Sequence, residues 1–119
     1  MKEYQEWINQ ADKDLDTAKY NLKGKKTEAG FFFLQQSAEK ALKAVYIKKF
    51  KELIKTHDLF LLAKKLKAPK EILEYCKKLG PAYQYTRYPD ASQPEKLDIL
   101  EGDFVFYSEQ IIKWCKENL

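Results

Sequence analysis

The chain has 119 residues, with 45% hydrophobic and 34% charged residues and a formal net charge of +4. That length argues for one domain, residues 1–119, able to bury a core without disulfides or a structural metal. The balance excludes a disordered chain, and no apolar run approaches the roughly 18 residues that a membrane span needs. The N-terminal stretch, MKEYQEWINQADKDL, is acidic and polar and so unlike a signal peptide. A cytoplasmic location without membrane association is the expectation.

The charge is segregated along the chain. Residues 1–39 carry 6 Lys and 7 acids, residues 40–87 carry 13 basic residues and 4 acids, and residues 88–119 carry 3 Lys and 7 acids. A basic middle segment suits a negatively charged partner: nucleic acid, nucleotide phosphates or an acidic protein. Solvated lysine-rich helices account for such a block equally well. Arg87 is its only arginine. Groove-reading proteins rely more on Arg, which argues against sequence-specific DNA binding.

The first predicted helix runs from Glu3 to Leu22. Tyr4, Trp7, Ile8, Ala11, Leu15, Ala18 and Leu22 form an apolar stripe, with Asp12, Asp14 and Asp16 assigned to the opposite side. Gly24 suits a left-handed stop. A second helix starts at Thr27, a plausible N-cap, and continues to Phe50. Its stretch FFFLQQSAEKALKAVYI, residues 31–47, has no Gly or Pro, and Phe31, Leu34, Ala38, Ala41 and Val45 form a seam for close helix packing.

The same helix places Gln36, Glu39, Lys40 and Lys43 three and four residues apart, on one side. An amide, a carboxylate and two ammonium groups in an otherwise apolar helix conflict with simple core packing, and such conflicts mark functional positions. The simpler reading is a surface Glu39–Lys43 ion pair.

Thr56 is expected to cap a third, short helix, HDLFLLAKKL. Its start offers free backbone N–H groups to an anion, beside His57 and Asp58. Pro69 opens a fourth helix, which ends at Gly80-Pro81. The stretch AYQYTRYPDASQPE is aromatic and turn-rich, and Tyr88 precedes a proline. The rigid guanidinium fork of Arg87 suits phosphate or carboxylate, or a local bridge to Asp90. A last helix spans Pro94 or Lys96 to Glu117, its buried side marked by Leu97, Leu100, Phe104, Tyr107, Ile111 and Trp114.

No strand alternation or repeat is present. The pattern predicts an all-α, antiparallel up-and-down bundle of four main helices and a short one. Cys76 and Cys115 have no CxxC partner and read as buried thiols. One His and two distant Cys make no metal site, and no phosphate-loop or nucleophile-elbow motif occurs. No catalytic residue and no cofactor is assigned.

Taken in order, Trp7, Ala11, Asp14, Leu15 and Ala18, then FFFLQQSAEKALKAVYI, THDLFLLAKKL and YQYTRYPDA, resemble the HEPN family (higher eukaryotes and prokaryotes nucleotide-binding domain) over nearly the whole chain. The resemblance implies a homodimeric helical bundle. Many members pair with a separately encoded minimal nucleotidyltransferase in toxin–antitoxin-like systems. Many others are metal-independent ribonucleases that use an Arg followed after four to six residues by His. Here Arg87 is followed by YPDASQP, without a His, which argues against that activity. By resemblance, Arg87, Tyr88 and Asp90, with the polar side of the second helix, form a nucleotide-binding or partner-binding site, to which His57 and Asp58 are added from their place at a helix start. The alternatives are an endoribonuclease that uses His57, and a non-catalytic dimeric adaptor.

Overall fold

The computed structural model describes residues 3–82 and 94–119, with side chains in the second segment from residue 100 onward. Arg87, Tyr88 and Asp90 lie outside the described residues, as does the side chain of Leu97. Among the described residues there are five helices and no strand: α1 (Glu3–Lys23), α2 (Thr27–Phe50), α3 (Leu59–Lys65), α4 (Lys70–Leu79) and α5 (Pro94–Glu117). The all-α bundle is the architecture predicted.

Helix α2 is the centre. It packs most extensively on α1, then on α5, and also on α3; α4 closes the bundle against α5 and α3. From Ser37 to Ile47 every residue of α2 except Lys40 is buried. The seam residues Phe31, Leu34, Ala38 and Ala41 have no exposed surface. Small Ala side chains permit close approach, and Phe31 meets Phe104 of α5 edge-on, centroids 5.0 Å apart.

Across the α2–α5 contact lies a buried polar cluster. Ser37 Oγ is 2.8 Å from the Leu34 carbonyl, Ser108 Oγ is 3.1 Å from the same carbonyl, and the two hydroxyls are 2.7 Å apart. One hydroxyl donates to the carbonyl and the other to its neighbour, so both are satisfied without water.

Several local expectations need correction. Gly24 is not left-handed; Lys25 is, with φ 62°. Lys25 N–H donates to Leu22 O and Lys26 N–H to Asn21 O, the paired closure of a Schellman motif whose C′ residue is Lys25. Thr27 is the first helical residue and not the cap; Lys26 holds that place without a side-chain bond. Asp58, not Thr56, caps α3: its carboxylate accepts from Leu61 N–H at 3.1 Å, while Thr56 Oγ1 accepts from Asp58 N–H. A carboxylate reaches the orphan N–H groups of the first turn better than a hydroxyl two residues earlier. On α5 the fully buried line is Phe104, Ser108, Ile111 and Cys115, with Leu100, Tyr107 and Trp114 only partly buried beside it. Asp14, assigned to the solvent side of α1, is buried at 8% exposure.

At Gly30 the backbone of α2 lies close against α1. A Cβ there would run into the side chain of Leu22 and lie 3.4 Å from the Ala18 carbonyl, whereas one at Gly102 would meet nothing within 4 Å. Both glycines have ordinary helical dihedrals, so space alone separates them.

Both cysteines are free and buried. Burial pushes the Cys76 thiol up to about 12, with the charge of Asp58 adding to it, and burial raises Cys115 as well.

Gly30→Ala is expected to destabilise the fold by about 1–3 kcal/mol through overpacking. Gly102→Ala is expected to be neutral or stabilising by up to about 1 kcal/mol, because Ala favours helix. Urea titrations of both variants decide this. A second expectation follows from the thiols. Their folded-state pKa values lie above the unfolded value, so their contribution is complete below about pH 9 and is lost as pH rises toward about 12. The urea midpoint should fall through that window, less steeply in Cys76→Ala, and neither native thiol should be alkylated readily at pH 8.

Candidate functional site

Burial of α2 on three sides encloses two of its charged residues, Glu39 and Lys43. Glu39 is 3% exposed and Lys43 is 5% exposed. They pair across one turn, Lys43 Nζ to Glu39 Oε2 at 3.0 Å, in the favourable Glu-before-Lys order. Lys43 Nζ also lies 5.7 Å from the centre of the Trp7 ring on α1. The predicted ion pair is therefore real but interior, where a partner is obligatory because an uncompensated charge costs several kcal/mol.

The same carboxylate anchors His57. Nδ1 lies 3.0 Å from Glu39 Oε2 and 3.2 Å from Oε1. An ionised carboxylate only accepts, so Nδ1 carries the proton and donates. The His57 side chain is nevertheless 78% exposed, which turns Nε2 outward. A buried carboxylate thus orients a solvent-facing imidazole. Nε2 then acts as an acceptor when the ring is neutral and as a donor when it is protonated.

His57 and Asp58 line a recess of about 290 Å³ with Gln35 of α2, Lys77 of α4, and Gly80 and Pro81 at its end. The carboxylate of Asp58 is already spent on the α3 cap. That end of α3 therefore carries its own negative charge, and one of its first-turn N–H groups, that of Leu61, is already taken.

Lys40 points elsewhere. Its Nζ is 2.7 Å from Asp14 Oδ2 and 3.3 Å from Gln10 Oε1. The contact to Asp14 is an ion pair without hydrogen-bond alignment, since that oxygen has no aligned donor. Lys40 lines a second recess, about 530 Å³, with Glu6, Trp7, Gln10 and Lys13 along α1. Trp7 sits at the edge of this recess and also beneath Lys43, so the Glu39–Lys43–Trp7 run links the two recesses through the interior. Gln36 is half-buried, and its neighbour Gln35 is the amide that reaches the His57 recess.

The structure thus brings together Glu39, Lys43 and His57, with Asp58 beside them, and sends Lys40 to the α1 side. Sequence reading missed Asp14, Trp7, Gln35 and Lys77 as members of these sites. Asp14 had a readable signal: it stands three residues after Ala11 and four before Ala18, on the stripe itself. Lys77 had none, because its place depends on how α4 docks. Among the described residues no cluster of three metal-ligating side chains forms, and no helix is long and apolar enough to cross a membrane.

Lys43→Ala, which strands Glu39 with His57 alone, should cost about 3 kcal/mol in urea unfolding. The double replacement Glu39→Leu with Lys43→Met should recover most of that loss, since apolar residues of similar volume replace a buried pair without penalty.

A family model described as HEPN domain matches residues 4–118. Among solved structures, TT1696 from Thermus thermophilus is similar with a TM-score of 0.84 and 25% identity, covering 100% of both chains. ST0689, described as an archaeal HEPN homologue, gives 0.76 and 28% over 98% of each chain. An HEPN domain protein from Thermotoga maritima gives 0.78 at 24% identity, over 94% of this chain and 95% of that one, a likeness of fold. A search of curated proteins finds no match. A family match that leaves out only a few terminal residues, on a helical bundle shared with HEPN structures from a bacterium and an archaeon, means that this chain belongs to the HEPN domain family.

Proposed function

We infer that the chain is a nucleotide- or RNA-binding HEPN module of the cytoplasm, acting as a homodimer beside a minimal nucleotidyltransferase in a two-component, toxin–antitoxin-like arrangement. The observation that carries the binding reading is His57. Its Nδ1 is tied to a buried carboxylate and its remaining surface faces a recess that also holds Lys77. When the ring is protonated, its Nε2 and the Lys77 ammonium on the same recess offer two donors for a phosphate.

Chain connectivity supports the same place. Pro81 lines the recess, and Arg87 follows six residues later, within about 21 Å of extended chain. The only arginine of the protein is therefore tethered to the rim of the site that holds its only histidine. The paired state of Lys43 makes it a support of this site, since it neutralises Glu39 so that His57 is not drawn into a net-negative pocket, whereas Lys40 pairs with Asp14 on the α1 side.

The Glu39–His57 contact also favours a second reading, in which His57 acts as general acid or base in metal-independent RNA cleavage. A carboxylate that fixes the tautomer and orientation of a histidine is a recurring feature of such chemistry. The missing His after Arg87 weighs against it.

Calorimetric titration with ATP, GTP and a short RNA tests the first reading. Binding is expected with at least one of them, weakened about tenfold or more by His57→Ala and by Arg87→Ala. The absence of heat with all three would overturn it. RNA incubation in chelator tests the second: cleavage abolished by His57→Ala would establish it in place of simple binding.

A further inference from the structure

The basic block of the sequence is not spent at His57. Lys48, Lys49 and Lys51 close α2, and Lys64, Lys65 and Lys67 close α3. All six are exposed. The two groups meet in space, because Lys48 and Lys49 share a recess with Leu66, the residue between Lys65 and Lys67. That recess is about 390 Å³ and is completed by Val45, Trp114 and Asn118 at the end of α5.

Three observations point to a ligand. First, the charge is uncancelled. Among the described residues none of the six lysines has a carboxylate within ion-pair distance, and the nearby Glu52 instead accepts from the Tyr46 hydroxyl at 3.2 Å. Their ammonium groups rest on rings, Lys48 on Tyr4 at 5.1 Å, Lys49 on Phe50 at 5.4 Å and Lys64 on Phe60 at 5.5 Å. Ring contacts leave the positive charge in place. Three helix C-termini converge here, and together they carry roughly −1.5 elementary charges. The six lysines outweigh that.

Second, Lys51 and Lys67 adopt φ values of 60° and 57°. Glycine fits such left-handed positions most easily, and a side chain there costs roughly 1 kcal/mol or more. Lys25 closes α1 in the same way, so what sets these two apart is that their ammonium groups join the lysines at this end of the bundle.

Third, the one indole at this end lies in a hollow and not on a protruding rim. Its volume falls within the roughly 300–1,000 Å³ of small-ligand sites. An aromatic wall flanked by cations is the arrangement on which bases of a single strand stack while phosphates track the charge. A lipid surface would instead call for apolar side chains standing clear of the protein. Phe50 is 42% exposed and Leu53 60% exposed beside these lysines, with Phe50 leaning on Tyr46 at 4.6 Å, so the recessed indole favours a strand and the vesicle arm of the test below separates the two.

We propose that this end of the bundle is a second binding surface, separate from the His57 recess, which takes single-stranded nucleic acid: one base against Trp114 and its flanking phosphates on the lysines that end α2 and α3.

Trp7 and Trp114 are the only tryptophans. In a Trp7→Phe protein, emission therefore reports Trp114 alone, and a short polyuridine strand is expected to quench it. Lys48→Gln with Lys49→Gln should weaken binding about tenfold and reduce the slope of log affinity against log salt by about 1.4. Anisotropy of a labelled strand with otherwise wild-type protein gives the same comparison should Trp7→Phe fold poorly. His57→Ala should leave the quench in place, and the quench is readable whether or not ATP binds elsewhere. No quench, a quench indifferent to the lysine changes, or one lost in His57→Ala would overturn the proposal. So would binding to phosphatidylserine vesicles with none to the strand.

Discussion

Helix α2 is enclosed by α1, α3 and α5, and the rest of the molecule follows from that enclosure. A helix covered on three sides cannot keep a polar face in water, so each polar group it carries must be matched from within. Glu39 is matched by Lys43 and His57, Ser37 by Ser108 and a carbonyl, and Lys40, at the margin, by Asp14 and Gln10. These pairings fix the rotation of α2 against α1 and α5, since turning it would strand a buried charge.

That requirement also shapes the chemistry available. Buried pairs seldom add net stability over apolar residues of the same volume, because desolvation offsets the attraction. What the Glu39–Lys43 pair provides is a rigid carboxylate facing outward through His57. The segment between α2 and α3 is thereby held along the bundle, and one edge of the imidazole is committed inward while the other faces the recess. The exposed links between α1 and α5, Lys19 to Glu109 and Lys116 to Asp12, are of a different kind; solvent screens them and they add little.

The ends of the bundle obey another constraint. Helices α1, α2 and α3 all stop at a lysine in left-handed conformation, where glycine would fit with less strain. At α1 the stop closes a tight connection to α2. At α2 and α3 the two lysines join a cationic surface around Trp114. The basic central block of the sequence thus divides in space between His57's surroundings and the opposite end of α2.

The sequence alone determined the helical class, the order and approximate bounds of the helices, and the seam of Phe31, Leu34, Ala38 and Ala41, because three- and four-residue spacing is a local property that survives without knowledge of neighbours. It also picked out Glu39 and Lys43, since charge within an apolar helix is visible as a departure from that spacing, and His57 as the single histidine at a helix start. Tertiary structure decided the rest. Whether the Glu39–Lys43 pair is wet or dry depends on what covers α2. That Lys40 turns to Asp14 while His57 turns to Glu39 depends on which helix lies on each side. The stop of α1 at Gly24 and the start of α3 at Thr56 were misread because the capping hydrogen bonds are set by the path of the neighbouring segment, and residue type alone does not carry that path.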